Sequence, residues 1–145
     1  MSHYTTILLA TDLSEEANQI ANRAVTLAKN NNATLHIVHV IEPLSFAYGG
    51  DIPMDFSGIQ NEIQNQADTQ MSELAARFDI PADQQHILIG RPENEIHQLA
   101  KELNVDLIVV GSHGRRGIAR LLGSTANGLL HGATCDVLAV RVMAD

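Results

Sequence analysis

The sequence predicts a single-domain α/β fold in which helices cover both faces of a five-stranded parallel sheet. Short apolar runs alternate with segments whose apolar residues recur at helical spacing, and the resulting order is βαβαβαβαβ. The run at residues 107–110 is apolar on both faces, as in a strand buried between helix layers. The 145 residues match one domain, and 45% hydrophobic against 18% charged content excludes a disordered chain.

The first half of the chain contains two strands around one helix. Residues 7–10 form the first strand, and Ser14 is expected to cap a helix with apolar positions between 17 and 28. Asparagines 30–32 end this helix, and β-branched residues predict a second strand over 34–40.

Residues 42–57 contain two prolines and two adjacent glycines, so we expect a loop longer than the usual ~4–6 residues. Three of the five aromatic residues lie in it, and they suggest ordinary loop packing, a lid or a partner surface: Phe46, Tyr48 and Phe56.

The second half repeats the alternation of helices and strands. Pro81 is expected to close the first of its helices, Gly90 turns the chain, and Pro92 suits the first position of the next helix. The predicted elements are, in order, a long amphipathic helix over 59–78, a strand over 86–89, a helix over 92–103, a strand over 107–110, a helix over 123–131 and a strand over 137–142.

The charge is unevenly distributed. A formal net charge of −8 argues against a broad surface for nucleic acid or anionic membrane. Residues 107–135, however, contain three arginines and no acidic residue, so this segment carries +3 and the remainder carries −11. Such a segment suits one small polyanion in a pocket.

Composition also limits the redox and metal chemistry. The single cysteine, Cys135, excludes an intrachain disulfide and is expected to be a small buried apolar residue. His36 and His39 are three residues apart on one strand and point to opposite faces, so they cannot share an ion. We therefore expect no metal site formed by protein side chains. No apolar run reaches the ~18 residues of a membrane span, and no basic region precedes the first run, so we expect a cytoplasmic protein.

Ligands bind to parallel sheets beyond the carboxyl ends of the strands. Two strand ends here carry residues that suit a ligand: 10–12 after the first strand and 111–114 after the fourth. Glycines after the fourth strand let backbone N–H groups approach an anion, and Arg115 and Arg116 can neutralise a polyphosphate. Gly123, Ser124 and Thr125 fall at the predicted start of the last helix, where phosphate binding is favoured. Neither a Walker loop nor a GxGxxG fingerprint is present.

Four segments, in this order, resemble the universal stress protein family. They are Ile-Leu-Leu-Ala-Thr-Asp-Leu-Ser at 7–14, Val-His-Val-Ile at 38–41, Gly-x-x-Gly … Gly-Ser after Leu-Ile-Val-Val at 107–110, and Cys-Asp-Val-Leu-Ala-Val-Arg at 135–141. The resemblance covers essentially the whole chain, 1–145. It implies one universal stress protein domain with a Rossmann-like fold of the adenine nucleotide alpha hydrolase-like type.

Many members of that family bind ATP, so the resemblance implies an adenine nucleotide (ATP, ADP or AMP) with Mg²⁺ or Mn²⁺ carried by its phosphates. Eight residues separate the second and third glycines, where the common family motif has nine; some nucleotide-binding relatives share the shorter spacing. The nucleotide-binding residues implied by the motifs and the resemblance are Ala10, Thr11, Asp12, Val40, Gly111, Ser112, His113, Gly114, Arg115, Arg116, Gly123, Ser124 and Thr125.

Some of these residues have a second interpretation. Gly111 and Gly114 could be ordinary turn residues, and Asp12 could serve only as a helix cap. His113 has no orienting carboxylate nearby in the sequence, so we assign it a ligand contact and expect no catalytic residue.

The resemblance also implies a homodimer formed through the last strand, which we expect at a sheet edge. The interface residues would be Val137, Leu138, Ala139, Val140, Arg141 and Val142. The predicted function is an ATP-binding dimeric module in stress response or signalling, without fast turnover.

Two alternatives remain open. One is a nucleotide-free dimeric protein that binds an unknown protein partner through the 42–57 loop. The other is a slow ATPase or self-phosphorylating protein, with Ser112, Ser124 and Thr125 as candidate phosphoacceptors.

Overall fold

A computed structural model describes residues 4–43, 57–113 and 134–141. Within these ranges the predicted alternation of strands and helices is confirmed. The predicted helix over 123–131, loop residues 44–56 and Val142 lie outside them. The elements are β1 (Thr6–Ala10), α1 (Ala17–Asn31), β2 (Thr34–Ile41), α2 (Ser57–Arg77), a 3₁₀ turn (Ala82–Gln84), β3 (Gln85–Ile89), α3 (Pro92–Glu102), β4 (Leu107–His113) and β5 (Asp136–Arg141).

The five strands form one parallel sheet in the order β3-β2-β1-β4-β5. The chain moves outward from β1 through β2 to β3 and then returns to β4 on the other side of β1. The topological switch point therefore lies between β1 and β4, which pair with Ile7 opposite Leu107 and Leu9 opposite Val109. The last strand, β5, is at one end of this order, which confirms its predicted edge position.

Two apolar layers hold the sheet between its helices. Alternate side chains of a strand point to opposite faces, so neighbouring residues enter different layers. Ile7 and Leu9 pack on the side of α1 and α2, whereas Leu8 and Ile108 pack on the side of α3. These four side chains are fully buried, and burial of apolar surface is the main force that stabilises the sandwich.

The predicted capping role of Ser14 is wrong. Helix α1 begins at Ala17, its N-cap is Glu16, and no side chain makes a capping hydrogen bond there. The Ser14 hydroxyl is buried without a hydrogen-bond partner among the described residues. Instead, the backbone N–H of Ser14 donates to Asp12 Oδ1 at 2.9 Å, because a turn closed by Asp12 precedes the helix.

Helix boundaries differ from the expectations at two further places. Helix α2 starts at Ser57, so this residue is helical and does not belong to a loop. It ends at Arg77, before the left-handed residue Asp79 (φ 57°), and Pro81 instead precedes the 3₁₀ turn. By contrast, the predicted stop of α1 is confirmed, since Asn32 at its end is left-handed (φ 55°).

Strand β4 continues to His113, three residues beyond its predicted end at Val110. Its neighbour β5 pairs Val140 with Gly111 and Arg141 with His113, and the register shifts between these two β4 residues. Pairing with the edge strand thus keeps the first glycine of the Gly/Arg segment inside the sheet. Across the described parts of the chain, none of the helices combines the length and apolar character needed to cross a membrane.

Candidate functional site

A cavity of about 330 Å³ lies at the carboxyl ends of β1, β2 and β4. Its volume is at the lower end of the ~300–1,000 Å³ typical of small-molecule sites. Five of the predicted nucleotide-binding residues line it, although they come from three separate stretches of sequence: Ala10, Thr11, Asp12, Val40 and Gly111. The structure therefore brings both predicted strand ends to one place at the switch point.

Thr11 fixes the end of β1 to β2. Its backbone N–H donates to the Val38 carbonyl at 2.9 Å, and its own carbonyl accepts a hydrogen bond from His39 Nδ1 at 2.8 Å. Its hydroxyl oxygen accepts from the N–H of Leu13 at 3.0 Å. With both backbone groups and the side chain engaged, Thr11 holds this wall of the cavity in one conformation.

Asp12 lies in the turn that follows. Leu13 has a left-handed backbone (φ 59°), which is uncommon for a residue other than glycine and needs local support. Asp12 supplies part of it through the bond from Ser14 to Oδ1, and it is not the N-cap of α1. The half-buried carboxylate of Asp12 also lines the cavity.

Gly111 allows α1 to approach β4 closely. It lies within β4, so its interpretation as a turn residue is wrong. A Cβ atom at this position would lie 2.5 Å from Ile20 Cδ1, which real contacts do not tolerate without movement. The missing side chain keeps the floor of the cavity open beside the buried Ile20.

The described lining is apolar with a set of acidic groups and carries no lysine or arginine. Glu16 is 9% exposed, and Asp12 and Glu42 are the other carboxylates. Such a wall disfavours phosphate and favours a neutral part of a ligand that offers hydrogen-bond donors.

Several lining residues were not predicted from the sequence. Helical periodicity identifies the isoleucines of the helices as core residues. It does not indicate which of the core residues border a cavity. The unpredicted lining residues are Glu16, Ile20, Val38, His39, Ile41, Glu42, Ile63, Pro92, Ile96 and Val110. For His39, its place beside Val40 in the Val-His-Val-Ile segment was the available signal.

Other predicted residues cannot be placed at the cavity. Ser112 and His113 are described only as backbone of β4. The aromatic residues of the 42–57 loop lie outside the described ranges, and the same is true of Gly114, Arg115, Arg116, Gly123, Ser124 and Thr125.

The described histidine and cysteine side chains meet at most in pairs. No group of three or more histidine, cysteine or acidic residues is arranged to hold a metal ion within the described residues. His36 bonds to His86, whereas His39 bonds to Thr11 on the opposite face. Cys135 is half-buried against the layer that contains α3, and burial raises the pKa of its thiol above the ordinary range.

A family model and individual relatives point to the same protein family. The sequence model of the Universal stress protein family matches residues 3–141. Universal stress protein A homolog 1 from Coxiella burnetii (strain RSA 493 / Nine Mile phase I) is 46% identical over 140 residues, which are 95% of this chain and 96% of that protein.

Two solved structures share the fold. A universal stress protein in complex with cAMP is 25% identical with a TM-score of 0.70, and the match covers 98% of this chain and 100% of the other. A protein from the universal stress protein family of Burkholderia pseudomallei is 24% identical with a TM-score of 0.74, over 97% and 98% of the two chains. The chain therefore belongs to the universal stress protein family.

Proposed function

We propose that this protein binds an adenine nucleotide, ATP in the first instance, at the carboxyl ends of β1, β2 and β4. One observation carries the proposal. Residues expected to contact the nucleotide come from three separate stretches of sequence and line a single cavity. The solved relative in complex with cAMP, also an adenine nucleotide, supports it. The protein would act in the cytoplasm as a dimeric module of stress response or signalling, without fast turnover.

Charge sets the orientation of the nucleotide in this proposal. The nucleoside would lie against the apolar and acidic wall, where a phosphate would be repelled by Asp12, Glu16 and Glu42. The phosphates would extend past Gly111, because the chain continues from there into the acid-free segment with Arg115 and Arg116. Mg²⁺ or Mn²⁺ would be carried by the phosphates.

Calorimetry with ATP and Mg²⁺ tests the binding. We expect Gly114→Glu to weaken affinity at least about tenfold, because it places a negative charge in the Gly/Arg segment. Gly58→Glu is the matched control: Gly58 is exposed on α2 with nothing within 4 Å of an added Cβ, so affinity should not change. Absence of binding to ATP, ADP and AMP at about 1 mM would overturn the proposal.

The proposed dimer has its own test. Strand β5 is an edge strand, and its alternating side chains are only partly buried in the single chain. Ala139 is exposed there, and lysine at this position would place two like charges across a twofold axis. Light scattering should give a dimer for the wild type and a monomer for Ala139→Lys. The control is Ala76→Lys, at an exposed position of α2, and it should remain a dimer. A monomeric wild type would contradict dimerisation alone.

Slow turnover is tested with γ-labelled ATP. We expect no multiple-turnover release of phosphate and no labelled protein. Label that accumulates on the wild type and not on Ser124→Ala/Thr125→Ala would favour the self-phosphorylating alternative.

A further inference from the structure

We infer that His39 determines the base specificity of the proposed nucleotide site, by accepting a hydrogen bond at Nε2 from the exocyclic amino group of the base. The inference rests on the proposed function and adds a side chain that neither the motifs nor the resemblance assigns. It depends on the tautomer of the ring, on the position of the ring in the cavity and on the chemistry of the neighbouring groups.

The hydrogen bond to Thr11 sets the tautomer of the His39 ring. Nδ1 lies 2.8 Å from the Thr11 carbonyl oxygen, and a carbonyl can only accept, so Nδ1 must carry the proton. In the neutral ring Nε2 is then an acceptor. Because His39 lines the cavity, a ligand bound there can use this acceptor.

The position of His39 suits contact with a base. Alternation along β2 places His39 on the same face as Ile37 and Ile41, on the side of α1 and α2. Ile20 from α1 and Ile63 from α2 line the same cavity, and apolar side chains of this kind can flank a planar base. A hydrogen bond from the ligand to the half-buried His39 ring would add to the binding free energy.

The other polar side chains of the described lining give the direction of the preference. The carboxylates of Asp12, Glu16 and Glu42 also line the cavity, and an ionised carboxylate accepts hydrogen bonds and donates none. An amino-bearing purine edge satisfies such groups, whereas a carbonyl in the same place would face another acceptor. Adenine is therefore favoured over hypoxanthine, and over purine without the amino group.

Calorimetry with two isosteric ligands, ATP and purine riboside 5′-triphosphate, tests this directly. The second ligand lacks only the amino group, and the wild type should bind it about fivefold to tenfold more weakly. His39→Asn keeps an N–H that can reach the Thr11 carbonyl and removes the Nε2 acceptor, so it should lose most of the preference for ATP. His36→Asn is the matched control on the opposite face of the same strand, and it should retain the wild-type preference.

A second variant addresses folding. His39→Gln places an oxygen acceptor near the position of Nε2 and should keep part of the preference, provided that its unfolding midpoint shows a folded protein. A wild type that binds both ligands equally, or a His39→Asn variant that keeps the preference, would overturn the inference and leave nucleotide binding intact. A wild type that binds neither ligand would overturn both.

Discussion

His36 and His86 form a hydrogen bond between neighbouring strands, with Nδ1 of His36 3.1 Å from Nε2 of His86. The ring centroids are 5.3 Å apart and the ring planes differ by 30°. One ring must donate and the other accept, so the contact needs a single proton between the two nitrogens. His36 thus pairs with a residue 50 positions away in the sequence, across the β2–β3 pair, and not with nearby His39.

This pair predicts a loss of stability in mild acid. Burial lowers the pKa of both side chains; the charge of His86 lowers that of His36 further, and Asp83 opposes this shift. The unfolded chain, with histidine pKa values near ~6.5, then binds more protons than the folded protein as the pH falls. The stability that the neutral histidine pair contributes is therefore fully present above the unfolded-state pKa. It is lost as the pH falls through the lower folded-state pKa values.

Urea unfolding between about pH 8 and pH 5 measures this contribution. The wild type should lose unfolding free energy toward the acid end, and His36→Leu/His86→Leu should lose less of it. Parallel pH profiles for the two proteins would assign the acid sensitivity to other groups.

Asp106 joins the starts of β1 and β4. Its carboxylate accepts from the Thr5 N–H and hydroxyl at 2.9 Å each, and from the Thr6 N–H at 3.1 Å. Burial raises the pKa of Asp106, but these hydrogen bonds together outweigh it and hold the pKa below the ordinary 3.8. We expect Asp106→Ala to cost about 1–2 kcal/mol of unfolding free energy at neutral pH.

The contribution of Asp106 should persist above the ordinary carboxyl pKa and disappear as the pH falls through the lower folded-state value. Thermal unfolding at several pH values checks this. Asp68→Ala, on an exposed position of α2, should leave the midpoint unchanged at every pH, and an equal effect of both substitutions would be inconsistent with the role of Asp106.

The close approach of Ile20 to Gly111 predicts coupled substitutions. Gly111→Ala should destabilise by about 1–3 kcal/mol, because the new Cβ meets Ile20 Cδ1. Ile20→Val removes that carbon and costs about 0.5–1.5 kcal/mol alone, so the double variant should lose less than the sum. Ile96→Val, in the apolar layer on the other side of the sheet, is the control and should add to Gly111→Ala without coupling. Strict additivity with Ile20→Val would show that the helix can move away.

Gly90 and Gly58 predict opposite effects of the same substitution. Gly90 has φ 154°, and an added Cβ would lie 2.7 Å from Glu95 Oε2, so Gly90→Ala should cost about 1–3 kcal/mol. Gly58 lies in α2 with open space around it, so Gly58→Ala should stabilise by about 0.5 kcal/mol. Thermal unfolding of the two variants compares them, and a neutral Gly90→Ala would show that the turn relaxes.

Local chemistry made most of the fold predictable. Helical spacing in residues 17–28 and an apolar run at 7–10 identify α1 and β1. This is possible because the side-chain period of each element involves residues only a few positions apart. The misplaced boundaries have equally local causes. Ser14 is a residue type typical of N-caps, but it lies in a turn closed by Asp12, and the helix begins only at Ala17. Strand β4 extends beyond the apolar residues 107–110 because its pairing with β5 continues past Val110.

The candidate site was predictable only in part. Ala10, Thr11, Asp12, Val40 and Gly111 follow from strand ends and motif residues, since parallel strands present their carboxyl ends at one edge. The remaining lining comes from positions that a single sequence marks only as core. His39 illustrates the gap, because its bond to the Thr11 carbonyl depends on the β1–β2 register.

The sequence by itself determined the order of elements, the separation of a −11 remainder from a +3 segment, and the glycines at the end of the fourth strand. Tertiary structure decided which distant residues meet: His36 with His86, Ile20 with Gly111, His39 with Thr11. The reason is physical. Element type depends on side chains a few positions apart, whereas strand order and register depend on how whole apolar faces bury one another.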